Sequence, residues 1–424
     1  MKNILKKSLA LASASALLSF NAFAMDSKKA NPEVEVLHWW TSGGEAAAVK
    51  VLMDDFKSNG GTWKDMPVAG GGGDAAMQAL KARVLAGNAP TAVQLKGPSI
   101  QEWYEQGALS DISEVAKAEG WDDVLPPAVA NHMKCKGKYC AAPVNIHRID
   151  WFWANKKVLD DNGIKVPTTW AEFNAAADKL KAKGITPLAH GGQKWQDATV
   201  FEAVALGIGG NDFYKKAFMN LDEGALGSPT MKKIFDQMRK LRGYVDKNFS
   251  GRDWNLATAM VMKGEAAFQI MGDWAKGEFT KAGKKPGVDY ICAKTPSNNG
   301  YLYNVDSFAM FNVKGDDKVS GQKLLAKLIV GKNFQKVFNL NKGSIPARLG
   351  VPLDEFDSCA VTSDKHLKAA SKAGGLLPSY AHGMALRGAQ AGAISDVVTA
   401  HFNSNMSSDE AVKKLVAAVK ASKK

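Results

Sequence analysis

The sequence feature that most constrains the fold is a strand-to-helix connection near the N-terminus. Residues 34–37 form a short apolar and acidic alternation that predicts a strand, whereas residues 46–53 predict a helix. The intervening loop, residues 38–45, contains the adjacent pair Trp39 and Trp40. In an open α/β sheet such loops lie at the carboxyl ends of the strands, where ligands bind. Because successive side chains of a strand face opposite sides, we expect at least one indole to be available to a ligand.

Glu45 ends this loop, and its position permits two interpretations. An acidic side chain at the start of a helix is stabilised by the helix dipole, which requires no ligand. Its place beside two indoles also suits a residue that accepts hydrogen bonds from a ligand. The tryptophan pair likewise admits a purely structural role, and the sequence leaves these alternatives open.

Strands and helices continue to alternate after this connection. A four-glycine turn at 70–73 precedes a helix from Asp74 to Gly87, and the apolar strand 92–95 ends at Lys96. Such alternation predicts a parallel sheet. The glycine turn lacks both the Lys-Ser/Thr pair and the spaced glycines of a phosphate-binding loop, so we interpret it as a flexible turn.

The rest of the chain predicts a mostly helical region with short strands. An extended apolar segment at 142–153 leads into it, and Thr169 with Glu172 predicts a capping box at the start of a helix. The predicted helices are 170–183, 197–207, 229–246, 255–262, 318–330, 332–339, 364–373, 384–402 and 408–421, and the predicted strands are 185–189, 266–271 and 306–311. A chain of about 400 residues exceeds what one hydrophobic core usually serves, so we expect two domains. No low-complexity linker separates two halves, so we expect the chain to cross between the domains more than once.

The N-terminal residues predict export. Residues 1–24 have a positive start, an apolar stretch and Ala22-Phe23-Ala24, which has the form of a signal-peptidase site, so we expect cleavage after Ala24 and a periplasmic mature chain. Removal of the three lysines in this segment lowers the formal net charge from +13 to +10. The lysines are scattered over predicted helix faces, which favours a solvated surface and argues against a nucleic-acid partner.

The four cysteines predict two disulfides in an oxidising compartment. A glycine between Cys135 and Cys140 permits a hairpin that brings them to bonding distance, so we expect this pair, and Cys292 with Cys359 as the second. A zinc site is the alternative, but neither the spacing nor the nearby histidines make a convincing set of ligands. We therefore predict no metal and no cofactor.

Several unusual residues suit a sugar ligand. Trp254 and Trp274 lie beside polar residues, which predicts that both are in loops. Lys342 and His382 lie in glycine-containing turns. The flat C–H faces of a pyranose pack against indoles, and each buried unpaired hydroxyl would cost about 1–3 kcal/mol. Carboxylates such as Glu45 and Asp306 accept bonds from hydroxyls, whereas lysine and histidine side chains can supply donors. Aromatic surfaces with a few charged groups therefore predict a neutral polyol as ligand.

Three segments resemble one protein family: the turn 87–93 ahead of a buried strand, the crossover segment 143–155, and Pro167-Thr168-Thr169-Trp170. Across the predicted mature chain the sequence resembles periplasmic sugar-binding proteins of ATP-binding-cassette (ABC) importers, in the family-1 extracellular solute-binding group that includes maltose-binding proteins. The resemblance implies an α/β, two-lobe periplasmic binding protein fold (type II) with hinge crossover strands. It places lobe one at 31–143 and 310–345, and lobe two at 144–309 and 346–424.

Within this group the chain is most similar to glucose-binding proteins, which implies a role for each candidate residue. Trp39 and Trp40 would pack on the sugar, with Trp254 and Trp274 on the opposite side. The polar contacts would come from Glu45 and Asp306 as acceptors, Lys96 and Lys342 as donors, and His382; Gln94, Asn145, Arg148 and Trp151 are candidate neighbours. Some relatives have a histidine where this chain has Lys96, so the resemblance does not define which sugar hydroxyl Lys96 would contact. The implied partners are glucose and the membrane subunits of an ABC permease, with a chemoreceptor as a further candidate, and we expect a monomer.

Two alternatives remain open at the level of sequence. Another hexose or a disaccharide would use the same types of residue. A secreted glycoside hydrolase would use Glu45 and Asp306 as its carboxyl pair. Lys96 and Lys342 argue against the hydrolase, because cations nearby would lower the pKa that a general acid needs raised.

Overall fold

The computed structural model describes residues 30–297 and 299–423, so the predicted signal peptide, residues 1–24, lies outside the described residues. The strands are β1 Glu33–His38, β2 Thr62–Pro67, β3 Ala92–Leu95, β4 Lys134–Cys135, β5 Lys138–Tyr139, β6 Ala141–Pro143, β7 His147–Arg148, β8 Trp151–Asn155, β9 Thr186–Ala189, β10 Ala266–Ile270, β11 Tyr290–Lys294, β12 Tyr301–Asn304, β13 Ser307–Met310 and β14 Leu376–Pro378. The helices are α1 Gly43–Ser58, α2 Asp74–Leu85, α3 Pro98–Glu105, α4 Ser113–Ala118, α5 Trp121–Val124, α6 Pro127–Met133, α7 Lys156–Asp161, α8 Trp170–Ala182, α9 Lys194–Phe218, α10 Glu223–Leu226, α11 Pro229–Arg242, α12 Trp254–Lys263, α13 Ala275–Lys281, α14 Asp316–Ile329, α15 Lys332–Lys342, α16 Ser358–Lys372, α17 Gly388–Phe402 and α18 Ser408–Ser422.

The N-terminal lobe is built on a five-stranded sheet in the order β2-β1-β3-β13-β6. Strand β1 pairs in parallel with β2 and β3, as the alternation of strands and helices predicts, whereas β13 is antiparallel to both of its neighbours. Val34 and Val36 are fully buried and alternate with the half-buried Glu33 and Glu35, so one face of β1 forms core. Helices α1, α14 and α15 contribute buried side chains to the same core.

The C-terminal lobe is built on a four-stranded sheet in the order β11-β8-β10-β9. Its core takes side chains from α8, α9, α11, α12, α13, α17 and α18. The predicted capping box of α8 is confirmed, because the Thr169 side chain accepts from Glu172 N–H and Glu172 accepts from the Thr169 N–H. The predicted helix 197–207 is part of the longer helix α9, in which Gly210 has a φ of 74° and interrupts the helical conformation.

The chain passes between the lobes at more than one place. Strand β6 belongs to the first sheet, β7 to a three-stranded sheet in the order β14-β12-β7, and β8 to the second large sheet. Strand β12 of the same small sheet leads directly into β13 of the N-terminal lobe. An isolated β-bridge between Ile146 and Ile345 pairs the segment between β6 and β7 with the segment that follows α15. The predicted lobe limit at 309/310 falls inside β13, and the exact limits remain a prediction.

Both predicted disulfides are confirmed. Cys135–Cys140 closes the hairpin of β4 and β5, and Cys292–Cys359 joins β11 to α16, each with a Cα–Cα distance of 6.0 Å. Lys136 and Gly137 have positive φ angles of 46° and 83°, so the central glycine suits the hairpin turn. Among the described residues, no helix combines the length and the apolar character that crossing a membrane would require.

Candidate functional site

One cavity is lined by all the site residues predicted from the sequence. These are Trp39, Trp40, Glu45, Lys96, Trp254, Trp274, Asp306, Lys342 and His382. Residues that the sequence analysis did not select also line it: Gly71, Gly72, His147, Trp195 and Asn304. Among the described residues, no group of three or more His, Cys, Asp or Glu side chains is placed to hold a metal ion.

Glu45 caps helix α1, as one of the two interpretations of the sequence expected, and it also borders the cavity. Its backbone N–H donates to Ser42 Oγ and the Ser42 N–H donates to Glu45 Oε2, which makes a capping box at the start of α1. Its other oxygen, Oε1, accepts from Lys342 Nζ at 2.9 Å, and both side chains are buried. The carboxylate is therefore held by a helix cap and an ion pair while it borders the cavity.

The two adjacent tryptophans have different surroundings. Trp40 is only 2% exposed and packs edge-on against Phe308 at 5.6 Å between ring centroids and against Phe338 at 5.3 Å. The ring of Trp39 is 5.1 Å from Lys96 Nζ. Both indoles border the cavity, but Trp40 also packs firmly into the core of the N-terminal lobe.

Asp306 lies between β12 and β13, where the chain passes from one lobe to the other. Its carboxylate accepts from His147 Nε2 at 3.0 Å, Gln94 Nε2 at 3.3 Å and Asn145 Nδ2 at 3.4 Å. The Asp306 N–H donates to Asn145 Oδ1. Gln94 and Asn145, which the sequence suggested only as neighbours, thus orient Asp306 without lining the cavity themselves. Trp151, a further candidate neighbour from the sequence, lies in the core of the C-terminal lobe.

His147 and Asp306 each shift the pKa of the other toward the charged form. Burial alone would raise the pKa of Asp306, but His147, Lys96 and Lys342 hold it well below its usual value. Burial alone would lower the pKa of His147, yet the carboxylates of Asp273 and Asp306, which flank the two ring nitrogens, raise it. Burial lowers the pKa of Lys96, although Asp306 partly offsets this. We call Glu45, Lys96, Asp306 and Lys342 the charged wall of the cavity.

Four further lining residues, all from segments after residue 190, are aromatic, and we call Trp195, Trp254, Trp274 and His382 the aromatic wall. Trp274 lies 4.9 Å from His382 and 6.3 Å from Trp195 between ring centroids. The prediction that Trp254 and Trp274 occupy loops is wrong in part: Trp254 is the first residue of α12, and Trp274 is the N-cap of α13. Helix termini therefore fix the positions of both indoles.

His382 is neutral, and its contacts define which nitrogen carries hydrogen. Burial and the nearby Lys96 hold its pKa well below the usual value. The Thr199 hydroxyl donates to the Trp195 carbonyl, so its oxygen accepts from His382 Nε2 at 2.8 Å. This leaves Nδ1 of His382 as a hydrogen-bond acceptor.

The four-glycine turn packs against the aromatic wall, a role that the sequence analysis did not identify. A Cβ atom on Gly71 would lie 2.5 Å from Trp195 Cζ2, and one on Gly72 would lie 2.9 Å from Trp195 Cγ. Only glycine fits this close approach without a shift of the indole. Trp195 is more than 120 residues away in the chain, and its place at the start of a predicted helix carries no signal for this contact.

Comparison with known proteins agrees with this architecture. The profile of the family "Bacterial extracellular solute-binding protein" matches residues 40–329. A "Probable sugar-binding periplasmic protein" of Brucella suis is 54% identical over the full length of both chains. Another protein of that description, from Rhizobium meliloti, is 55% identical over 94% of this chain and 96% of its own.

A solved structure described as "Chitin oligosaccharide binding protein" has a TM-score of 0.80 at 20% identity, with 92% of this chain and 98% of that chain covered. At this identity the similarity concerns the fold, which is the two-lobe fold of solute-binding proteins of the maltose-binding-protein type, as the sequence predicted. The family profile covers more than half of the chain, and the full-length relatives share about half of its residues. The chain therefore belongs to the family of bacterial extracellular solute-binding proteins.

Proposed function

We propose that this protein is the periplasmic sugar-binding subunit of an ABC importer and that it delivers a monosaccharide, glucose, to a membrane permease. The observation that carries the proposal is the cavity that the charged wall and the aromatic wall line together. The relatives named as sugar-binding periplasmic proteins support the same class of ligand.

The chemistry of the two walls suits an uncharged ring. The charged wall pairs its own charges, with Lys342 on Glu45 and with His147 and Lys96 beside Asp306. A ligand with a net charge would disturb this balance, whereas a sugar hydroxyl can donate to a carboxylate and accept from an ammonium group. The indoles of the aromatic wall match the C–H face of a pyranose.

The shape of glucose favours this hexose. In β-glucopyranose every hydroxyl is equatorial, so both faces are free to pack on aromatic surfaces while the hydroxyls meet polar groups at the rim. An axial hydroxyl, as in galactose or mannose, would project toward an indole.

Contacts between the lobes suggest how binding is signalled. Glu278 of α13 accepts from Ser42 Oγ at 2.7 Å and from the Gly44 N–H at 2.8 Å, so the C-terminal lobe contacts the N-terminus of α1. A ligand that touches both walls stabilises the closed arrangement through its higher affinity for it. In this proposal the permease recognises the closed form, a chemoreceptor is a second candidate partner, and the protein acts as a monomer.

The hydrolase alternative receives less support. A general acid must be protonated, and the low pKa of Asp306 disfavours its protonated form. Glu45 is held in an ion pair with Lys342. Burial raises the pKa of Glu202 to about 8, but this carboxyl bonds Ser379 and Tyr214 and does not line the cavity. We therefore propose a binding protein that releases its sugar unchanged.

Calorimetric titration of the ligand-stripped mature protein with glucose, galactose, mannose and maltose tests the proposal. We expect one glucose per chain, a dissociation constant in the micromolar range or below, and weaker binding of the other three sugars. Incubation with aryl-glycosides should release no aryl alcohol. Tighter binding of maltose or another hexose would contradict the choice of glucose, and indifference to every sugar would contradict the class of ligand.

A further inference from the structure

A second cavity lies apart from the proposed sugar site and has three basic side chains in its lining. Arg148, Lys294 and His366 line it, together with Ala369, Ala370 and other small or neutral residues. None of the described lining residues carries a carboxylate. We call it the Arg148 cavity.

Arg148 is fixed in place by its neighbours. Its guanidinium lies between the rings of Trp151 and Tyr301, 4.8 Å from each centroid. Its Nε and Nη2 donate to the two oxygens of Asp150 at 3.1 and 3.0 Å. The side chain is 1% exposed, so the chain maintains an oriented cation at the wall of a cavity.

A further Arg148 bond determines the state of His366. Arg148 Nη1 donates to His366 Nδ1 at 2.8 Å, which requires Nδ1 to be unprotonated and places the ring hydrogen on Nε2. Burial and the charges of Arg148 and Lys294 lower the pKa of His366, which favours this neutral form. His366 is therefore a hydrogen-bond donor with its acceptor nitrogen already used.

The balance of charge and donors in the cavity favours an anion. Arg148 and Lys294 carry two positive charges, and Asp150, bound to Arg148, supplies one negative charge. A guanidinium has five N–H groups, and three of those of Arg148 donate to Asp150 and His366. Among the described residues the other two have no acceptor, so they can donate to a ligand. Lys294 Nζ donates to the Ser297 carbonyl at 2.9 Å and adds its charge at the rim.

We propose that the Arg148 cavity binds a small free oxyanion, a phosphate or carboxylate group held by Arg148, His366 and Lys294. This is a second ligand site, independent of the sugar proposal. A short series of hydrogen bonds connects the Arg148 cavity to the proposed sugar site. The Arg148 N–H donates to one oxygen of Asp273, and the other Asp273 oxygen bonds His147, which lies beside Asp306.

Thermal unfolding and calorimetry of the sugar-free mature protein test this proposal. Inorganic phosphate and citrate are each titrated at constant ionic strength, with chloride as the balancing salt, so that ionic screening is the same in every sample and a ligand bound to the folded chain raises the midpoint above that in chloride. We expect phosphate or citrate to raise the midpoint and to bind one per chain. Stronger binding of citrate would identify a carboxylate ligand, and stronger binding of phosphate a phosphate ligand.

Two variants and a matched control locate the site. His366→Leu and Lys294→Gln should each weaken oxyanion binding by about tenfold or more, since bonds to charged groups are of that strength. Lys420→Gln removes one exposed lysine on α18 and should leave binding unchanged. His366 and Lys294 are partly exposed, so their variants should unfold cooperatively. Equal binding by all four proteins, or no midpoint shift beyond that of chloride, would overturn the proposal.

Discussion

The charged wall and the aromatic wall are built in different ways. Three of the four ionisable groups of the charged wall are held by hydrogen bonds and ion pairs, with Lys342 on Glu45 and His147 on Asp306, whereas Lys96 lies over the ring of Trp39. The aromatic wall contains no charged group, because its one histidine has a low pKa. Its indoles are positioned by helix termini and by close ring contacts.

This difference suggests a division of labour in the proposed binding. Hydrogen bonds to ionised groups are directional and stronger, so the charged wall should select the hydroxyl pattern. Aromatic packing depends on area and shape, so the aromatic wall should supply affinity for any flat pyranose face. Variants of the two walls should therefore affect specificity and affinity differently, and the expected effects decrease in the order given below.

Asp306→Asn should have the largest effect, because it removes a charged acceptor and leaves His147 facing a neutral amide. Loss of bonds to a charged group predicts about 10- to 100-fold weaker glucose binding. Calorimetry with glucose and galactose measures affinity and discrimination together. Asp178→Asn, far from the cavity, is the control, and unchanged affinity in Asp306→Asn would show that the charged wall does not bind the sugar.

Gly44→Ala tests whether the two walls must come together. A Cβ atom on Gly44 would lie 2.6 Å from the Gly277 carbonyl carbon, so closure of α1 on α13 would require a shift. Overpacking costs about 1–3 kcal/mol, which predicts roughly 5- to 150-fold weaker binding without a change of specificity. Gly392→Ala meets no atom within 4 Å and should bind normally. Equal affinities of the two variants, measured by calorimetry, would argue against closure as part of binding.

Trp274→Phe should weaken binding of every hexose by a similar factor, about 3- to 10-fold, as expected for part of an aromatic contact. Trp170→Phe is the matched control, since Trp170 packs on Phe152 and Phe173 in the core and does not border the cavity. The control should lower the thermal midpoint and spare affinity. A change of preference among hexoses in Trp274→Phe would contradict the proposed division between the walls.

Glu202→Gln should have the smallest effect on affinity, less than about 2-fold, because Glu202 supports the aromatic wall indirectly, through Ser379, which accepts from the His382 N–H, and through the N–H of Ala381. Its effect should appear in stability. The folded-state pKa of Glu202 is raised to about 8 by burial, so its stabilising contribution is complete below pH about 4.5 and is lost as pH rises toward 8. Midpoints measured from pH 5 to 9 should fall more steeply in the native protein than in the variant. Parallel curves would contradict the assignment.

Several elements of the fold could be predicted from the sequence, because they depend on local signals. The capping box of Thr169 and Glu172, the strand that ends at Lys96 and the Cys135–Cys140 disulfide involve neighbours in the chain. Edge strand β2, Thr62–Pro67, was missed because it is largely polar and carries little alternation. The short helices α4–α6 were missed for a similar reason, since they bury few side chains each.

The residues of the site that escaped prediction depend on contacts between distant segments. Trp195 borders the cavity because the glycine turn approaches it, and neither segment indicates the other. His147 lies in an extended segment where its neighbours Asn145 and Arg148 were equally plausible. Only the strand register of β7 with β12 places His147, opposite Asn304, beside Asp306.

The most direct test of the account is the crystal structure of the mature protein grown with glucose. We predict electron density for one pyranose in the cavity, with a face on Trp274 and hydroxyls within hydrogen-bonding distance of Asp306 and Lys342. A sugar bound elsewhere, or one that contacts only one of the two walls, would contradict the claim that the charged and aromatic walls act together.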